Sequence, residues 1–314
     1  MFKNGEWFLK KIRGDRKEVD KYTVSFTDKY IAIKELHELG YSISELCKCA
    51  KIGRASYYKW LNRSETERYK ENKVILDEII KLYSEVKGIY GYRRITLNIN
   101  RIFNSSYNHK RIYRLMKSVK LAAVIRRKKK RYIKSTPQIT AENILNREFV
   151  ADSPNEKWLT DVTEFKLING SKAYLSAILD IGDNSIISYV LGKSNNNKLV
   201  FDTLDKAIEA NPTARPLFHS DRGFQYTSKK FKHKLNKINA IQSMSRVGRC
   251  IDNGPMEAFW GTLKSEMYYL RKFSTFEDLE EAIYEYIKFY NTKRLQKKLK
   301  GMAPIEYRSH TLAV

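Results

Sequence analysis

The 314-residue sequence has only three cysteines, Cys47, Cys49 and Cys250, and five histidines. Three cysteines, two of them nearly adjacent, cannot build a disulfide frame or a four-ligand zinc site, so all three read as reduced packing residues. The histidines are scattered without a pair at metal spacing, which excludes a zinc-binding amino-terminal module. No apolar run approaches the roughly 18 residues of a membrane span, and the start M-F-K-N-G-E-W-F lacks the layout of a signal peptide. No membrane partner is expected, and the protein reads as cytoplasmic. Acidic residues are also short: 35 Asp plus Glu stand against 60 Lys plus Arg, a net charge of +25. That excess goes well beyond what solubility requires and points to a polyanion, above all nucleic acid.

What is present suffices for two or three compact units, since 42% of the residues are hydrophobic and the chain is long enough to bury a core in each. Residues 1–28 are polar with little periodicity and read as a flexible lead-in. From 29 to 64 the spacing predicts three helices: Ile31, Ile33, Leu36 and Leu39 stop at Gly40, Leu46, Cys47 and Ala50 follow Ser42, and R-A-S-Y-Y-K-W-L-N-R follows Gly53. This is a helix-turn-helix pattern. Its last helix would turn Arg54, Ser56, Tyr57 and Lys59 toward DNA, with Tyr58 and Leu61 inward; a plain three-helix packing unit is the alternative.

Residues 65–125 form a second helical region, with Ile75, Leu76, Ile79, Ile80 and Leu82 on one face. Its Y-G-Y-R-R stretch offers Arg93 and Arg94 to phosphate, or simply begins an aromatic-packed helix. Arg126, Arg127, Lys128, Lys129, Lys130 and Arg131 open a basic linker, residues 126–150. Six consecutive cations cannot all pack inward, so this segment reads as a solvated arm along the phosphate backbone.

From 151 to 314 the texture is α/β. Trp158 to Ile168, Ala173 to Ile181 and Ser185 to Leu191 read as three strands joined by short turns. A helix from Lys198 to Ala210, a strand from Pro216 to Ser220, a helix from Ser228 to Asn239 and a strand from Ile241 to Met244 follow. Helices from Met256 to about Leu270 and from Phe276 to Tyr290 close the chain. That order is the order of the ribonuclease-H-like fold.

Three acids sit at telling places in it. Asp161 interrupts an apolar, β-branched strand, where an unpaired carboxylate is costly. Asp221 follows the strand L-F-H-S. Glu257 lies in a helix's first turn, just after Gly254-Pro255, where the helix dipole favours negative charge. Taken singly, Asp161 could cap a turn, Asp221 could pair with Arg222, and Glu257 could be an ordinary helix-start charge. Together they make three hard oxygen donors that suit Mg2+ or Mn2+, and two such ions support phosphoryl transfer.

The runs H-S-D-R-G-F-Q-Y (219–226) and S-M-S-R-V-G-R-C-I-D-N-G-P-M-E-A-F-W-G-T-L-K-S-E (243–266) resemble the signature of transposases of the IS-three insertion-sequence family, OrfB type. W-L-T-D-V-T-E-F, Y-I-K-F-Y-N-T-K-R and G-M-A-P-I-E-Y-R extend the resemblance over residues 45–310, and 35 residues separate Asp221 from Glu257, the spacing of a D,D(35)E motif. The resemblance implies an α/β, integrase-type catalytic core of ribonuclease-H-like fold, preceded by small all-α helix-turn-helix regions. It implies that Asp161, Asp221 and Glu257 hold two Mg2+ (or Mn2+) ions and that Lys264, on the same helix face as Glu257, holds element-end DNA. His219, Ser220, Arg222, Gly223 and Asn253 become supporting residues.

The implied function is cleavage and strand transfer at insertion-sequence ends. The partners would be terminal inverted repeats and target DNA, with a homo-oligomer assembled on nucleoid DNA. A ribonuclease-H-like nuclease without strand transfer and an inactive DNA-binding regulator are the alternatives. Two departures stand out. Gln296 occupies the place of a family histidine, and no sustained heptad precedes residue 45, so an upstream helix-turn-helix and leucine-zipper product is expected to assist.

Overall fold

The structure is a computed structural model and describes residues 26–62, 66–125, 142–246 and 250–312. The lead-in up to residue 25 and the six-cation run 126–131 lie outside the described residues, as does the side chain of Cys250. The chain divides into two compact units, one up to Val74 and the other from Ile75 onward.

The first unit holds helices α1 (Phe26–Glu38), α2 (Ile43–Ala50) and α3 (Arg54–Leu61). Ile33, Leu36, Leu46 and Cys47 form its core. Helix α2 stops at Lys51, whose left-handed φ of 56° lets the Ile52 N–H reach back to the Cys47 carbonyl at 2.9 Å, satisfying an end carbonyl of the helix. Two expectations need correction. Tyr57 is not a DNA-facing residue: it is only 1% exposed, and its ring lies 6.3 Å from that of Tyr30 and 6.1 Å from that of Trp60. Tyr58 and Leu61, expected inside, face solvent, as do Arg54, Ser56 and Lys59. The two tyrosines are adjacent, so about 100° of helix phase separates them; Tyr57 shares its face with Trp60, three positions on, and that pairing sets the phase. Cys49 is exposed, whereas Cys47 packs inside.

In the second unit, the latter part of α4 (Glu67–Glu85) packs with α5 (Tyr92–Ile102) and α6 (His109–Ser118). Ile75, Ile79, Ile95, Ile99, Ile112 and Met116 fill the space between them. The larger part of the unit is a five-stranded sheet: β1 (Lys157–Lys166), β2 (Lys172–Asp180), β3 (Ile186–Gly192), β4 (Leu217–Ser220) and β5 (Ile241–Met244), in the order β3-β2-β1-β4-β5. β1, β2 and β3 form an antiparallel meander, while β4 lies parallel to β1 and β5 parallel to β4.

Helix α7 (Asn197–Ala210) makes the crossover to β4, and α8 (Lys229–Lys237) links β4 to β5. Both cover one sheet face, burying Trp158, Ile178, Val200, Leu204, Phe218 and Phe231. Helices α9 (Gly254–Glu266) and α10 (Phe276–Thr292) cover the other, with Leu159, Phe165, Leu175, Phe259, Leu263 and Ile283 in its core. The tail helix α11 (Pro304–Leu312) is fastened by Arg308, which ion-pairs with the fully buried Asp180 at 2.6 Å and with Asp183. No helix of the described residues is long and apolar enough to cross a membrane.

Candidate active site

Strand alternation decides where Asp161 points. Side chains two apart share a sheet face, so Asp161 shares the side of Leu159 and Phe165, which pack in the core under α9 and α10. There its Oδ2 accepts a hydrogen bond from Trp260 Nε1 at 3.1 Å, and its Oδ1 accepts from the Val162 N–H at 2.8 Å. Trp260 stands three residues after Glu257 on α9, hence on a neighbouring stretch of the same helix face. Burial, with the negative charges of Asp221 and Glu257 acting in the same direction, raises the Asp161 carboxyl to about 7. Two hydrogen bonds to the charged form oppose this without overcoming it.

Asp221 stands where the chain leaves β4, one strand away from β1. Its Oδ1 accepts the Gly223 N–H at 2.9 Å. Partial loss of hydration raises its carboxyl above the ordinary range, against that hydrogen bond. Gly223 has a steric reason to be glycine: a Cβ there would lie 2.8 Å from Gln225 Oε1 and 3.1 Å from Asp221 Oδ1. A larger residue would therefore move the carboxylate. Arg222 turns away from Asp221 and donates from Nε to the Ser245 carbonyl at 2.7 Å, and Ser220 Oγ donates to the Asp221 carbonyl at 2.9 Å.

Glu257 occupies the first turn of α9 behind Pro255. The start of this helix is tied to β1 by Asn253, whose Nδ2 donates to the Thr160 carbonyl at 2.9 Å, next to Asp161. Strand end, strand middle and helix start thus present three acids close enough for two of them to shift the third. Among the described residues, no ion pair engages Asp161, Asp221 or Glu257, and no three His, Cys, Asp or Glu side chains meet at one point at ligating distance.

The floor beside the centre is a polar lattice. His219 is fully buried, bonded through Nδ1 to Ser243 Oγ at 2.9 Å and through Nε2 to Ser245 Oγ at 3.0 Å. Burial lowers its pKa to about 4, against the pull of Asp252, so it stays neutral near pH 7. Asp252 is likewise buried, and the hydrogen bonds and charges of Arg246 and Arg147 hold its carboxyl far below the usual carboxylate range. It anchors the segment that leads from β5 into α9.

The other expected DNA contacts separate into two groups. Lys264 lies along β1, donating to the Glu164 carbonyl at 3.0 Å with its ammonium 5.2 Å from the Phe165 ring. Arg94 is drawn inward, ion-paired with Glu266 at 3.1 Å and over the Tyr90 ring at 5.2 Å; it braces the protein instead of standing free. Arg93 is exposed beside the Tyr92 ring, and Arg54 is exposed on α3. Sequence reasoning missed Trp260, Asp252 and the buried pair of Glu266 with Arg294, whose distances are 2.9 and 2.8 Å. Only the aromatic beside Glu257 carried a local signal.

Comparison with known proteins adds independent findings. An integrase core domain family matches residues 151–250, a second integrase core domain family matches 257–312, and an HTH-like domain family matches 70–129. The InsK protein of insertion sequence element IS150 from Escherichia coli (strain K12) is 43% identical over 283 residues, covering 89% of this chain and 98% of its own. The transposase for insertion sequence element IS904 of Lactococcus lactis subsp. lactis is 31% identical, over 80% of this chain and 99% of its own. Among solved structures, the HTLV-2 integrase catalytic core domain in complex with magnesium is 19% identical, with a TM-score of 0.40 over 50% of this chain and 97% of its own.

Proposed function

The chain belongs to the insertion-sequence transposases of the IS-three family, which carry an integrase core domain, and on that premise we propose that Asp161, Asp221 and Glu257 form its DNA-cutting and DNA-joining centre. The enzyme is a polynucleotidyl transferase of DNA transposition. The observation that carries the site assignment is the buried Asp161 carboxyl, raised by burial and by the nearby charges of Asp221 and Glu257 and engaged by no ion pair among the described residues. The donor set fits hard divalent ions: it is all oxygen, and a cation would offset the burial and the neighbouring negative charges that raise Asp161.

Two Mg2+ or Mn2+ ions held there would supply an activated oxygen nucleophile and charge neutralisation at the scissile phosphate. The protein's own part is placement. Trp260 fixes the Asp161 carboxylate, the Gly223 N–H fixes that of Asp221, and Asn253 sets the start of the Glu257 helix against β1. His219 stays neutral and adds no charge to the floor. Lys264, half-buried on the Glu257 helix, is placed to exchange its carbonyl partner for an end-DNA phosphate. Water cuts one strand at an element end, and the freed 3′ oxygen then attacks a target phosphodiester in line, without a covalent protein intermediate.

Terminal inverted repeats and target DNA are the substrates, a homo-oligomer assembles on them in the cytoplasm, and the basic run 126–131 lies along the duplex. An upstream helix-turn-helix and leucine-zipper product assists end recognition. The domain limits 29–64, 65–125, 126–150 and 151–314 describe this division of labour. Incubation with labelled element-end DNA and Mg2+ tests it: the chain is expected to yield nicked and joined products, and Asp161→Asn and Glu257→Gln neither. Joining by either variant would refute the assignment, and nicking without joining by the unaltered chain would favour the nuclease.

A further inference from the structure

The tail and the second helical region meet at a cleft of about 660 Å3 that the three acids do not line. One wall comes from α5 and the start of α6, with Arg93 and His109; the other comes from the segment after α10, with Lys297 and Lys298; Arg94 and Arg294 lie at its floor. No carboxylate is among its lining residues. The floor arginines share the single charge of Glu266 beneath them, so the floor keeps one excess positive charge. Arg93 donates to the Tyr92 hydroxyl at 3.2 Å and stands 5.7 Å from that ring. Among the described residues, neither it nor Lys297 nor Lys298 enters an ion pair. Lys297 and Lys298 ride on a short 3-10 turn, Lys297–Leu299, closed by the bridge of Gln296 to Met302.

Gathering this many cations around an acid-free cleft costs self-repulsion, which a bound polyanion would relieve. We propose that the cleft is a second docking site for the phosphate backbone of duplex DNA, contacted by Arg93, His109, Lys297 and Lys298. This inference rests on the reading that the chain acts on DNA, but not on the role of the three acids. Its floor has a second consequence. Glu266 lies nine residues after Glu257 on α9, about 13 Å along the axis and on the opposite face. A duplex gripped in the cleft is therefore registered against the same rigid helix that carries Glu257. Arg94, tied to Glu266, acts as a positioning residue, and the solvated Arg93 makes the contact.

The test uses the full chain and a 30-base-pair duplex, with affinity followed by fluorescence anisotropy over a range of salt. Each lost phosphate contact should flatten the slope of log affinity against log salt by about 0.9. A triple variant, Arg93→Gln with Lys297→Gln and Lys298→Gln, is expected to flatten it by about 2 to 3 with an unchanged thermal midpoint. The control Lys229→Gln with Lys230→Gln and Lys232→Gln, on exposed positions of α8, is expected to leave the slope alone. Equal flattening in both would reduce the effect to bulk charge and overturn the proposal, as would no flattening in the triple variant. Competition by millimolar pyrophosphate as effective as that by duplex would overturn it in favour of a small-anion site. Asp161→Asn is expected to keep the full slope, so failure of the acid assignment and failure of the cleft give different results.

Discussion

Helix α9 carries a glutamate at each end, and the protein treats them in opposite ways. Glu266, buried at its C-terminal end, receives two guanidiniums and the Tyr286 hydroxyl. Burial works to raise its carboxyl, but the Arg294 hydrogen bonds and charge, with Arg94 and Tyr286 behind them, hold it below the ordinary range. Glu257, at the N-terminal end, lies near two further acids and enters no ion pair among the described residues; burial, then the charges of Asp221 and Glu257, raise Asp161 to about 7. Asp252 follows the Glu266 pattern, with Arg246 and the distant Arg147 beside it; Asp180, although paired with Arg308 from the tail, is still raised to about 6 by burial and by the charge of Asp183. Where this fold uses a buried carboxylate for cohesion it brings an arginine to it. Where no arginine pairs with one among the described residues, as at Asp161, the proposed bound cation supplies the counter-charge.

The sharpest break of this contrast is catalytic. Asp161→Asn should lower nicking and joining by about a thousandfold or more, roughly 4 kcal/mol of barrier, while the thermal midpoint stays level or rises because like charge is removed. A fall in stability comparable to the loss of activity would mean that Asp161 serves cohesion after all. At the other end of α9, Glu266→Gln should leave Arg94 and Arg294 uncompensated and destabilise the chain by about 3 to 5 kcal/mol in chemical denaturation. Glu257→Gln should stay within about 0.5 kcal/mol. Equal losses for the two glutamates would erase the contrast.

The polar lattice beside the three acids carries its own pH dependence. His219 has its pKa lowered to about 4 by burial, so between its unfolded value, about 6.5, and about 4 the unfolded chain binds the proton that the folded chain refuses. Stability from this residue is present above pH 6.5 and is lost as pH falls through that window, by up to about 3 kcal/mol. His219→Gln should flatten the pH dependence of the thermal midpoint between pH 6.5 and 4.5, and an unchanged profile would refute it. The smallest effect belongs to Arg101 and Glu306, a bidentate pair at 2.8 and 2.6 Å whose arginine side chain is 52% exposed. Arg101→Gln should cost no more than about 1 kcal/mol and less in high salt, as measured by urea titration.

Local pattern carried the sheet. Alternation in W-L-T-D-V-T-E-F and the Asn169-Gly170 turn gave β1 to within two residues at its end, because Leu167 and Gly170 already belong to the reversal: the Gly170 N–H bonds to the Leu167 carbonyl at 3.0 Å. The helix expected from Met256 to about Leu270 starts earlier, at Gly254, and ends at Glu266, where the chain tightens into a 3-10 turn at Tyr268–Leu270. Apolar residues beyond the end kept the pattern running. Asp161 was legible because an acid in an apolar strand is locally anomalous. Arg94 with Glu266 was not, since 172 residues separate them and each alone looks like an ordinary helix charge. Tyr57 was misread because composition does not fix the phase of a helix with aromatic residues at three of four successive positions.

The most direct test of the central claim is the shift in thermal midpoint that Mn2+ produces in the DNA-free chain and in Asp161→Asn. If the acids of β1, β4 and α9 await a cation, saturating Mn2+ at about 100 times its dissociation constant should stabilise the unaltered chain by about 3 kcal/mol and leave Asp161→Asn nearly unmoved. An equal shift in both proteins would place the metal elsewhere and contradict the account.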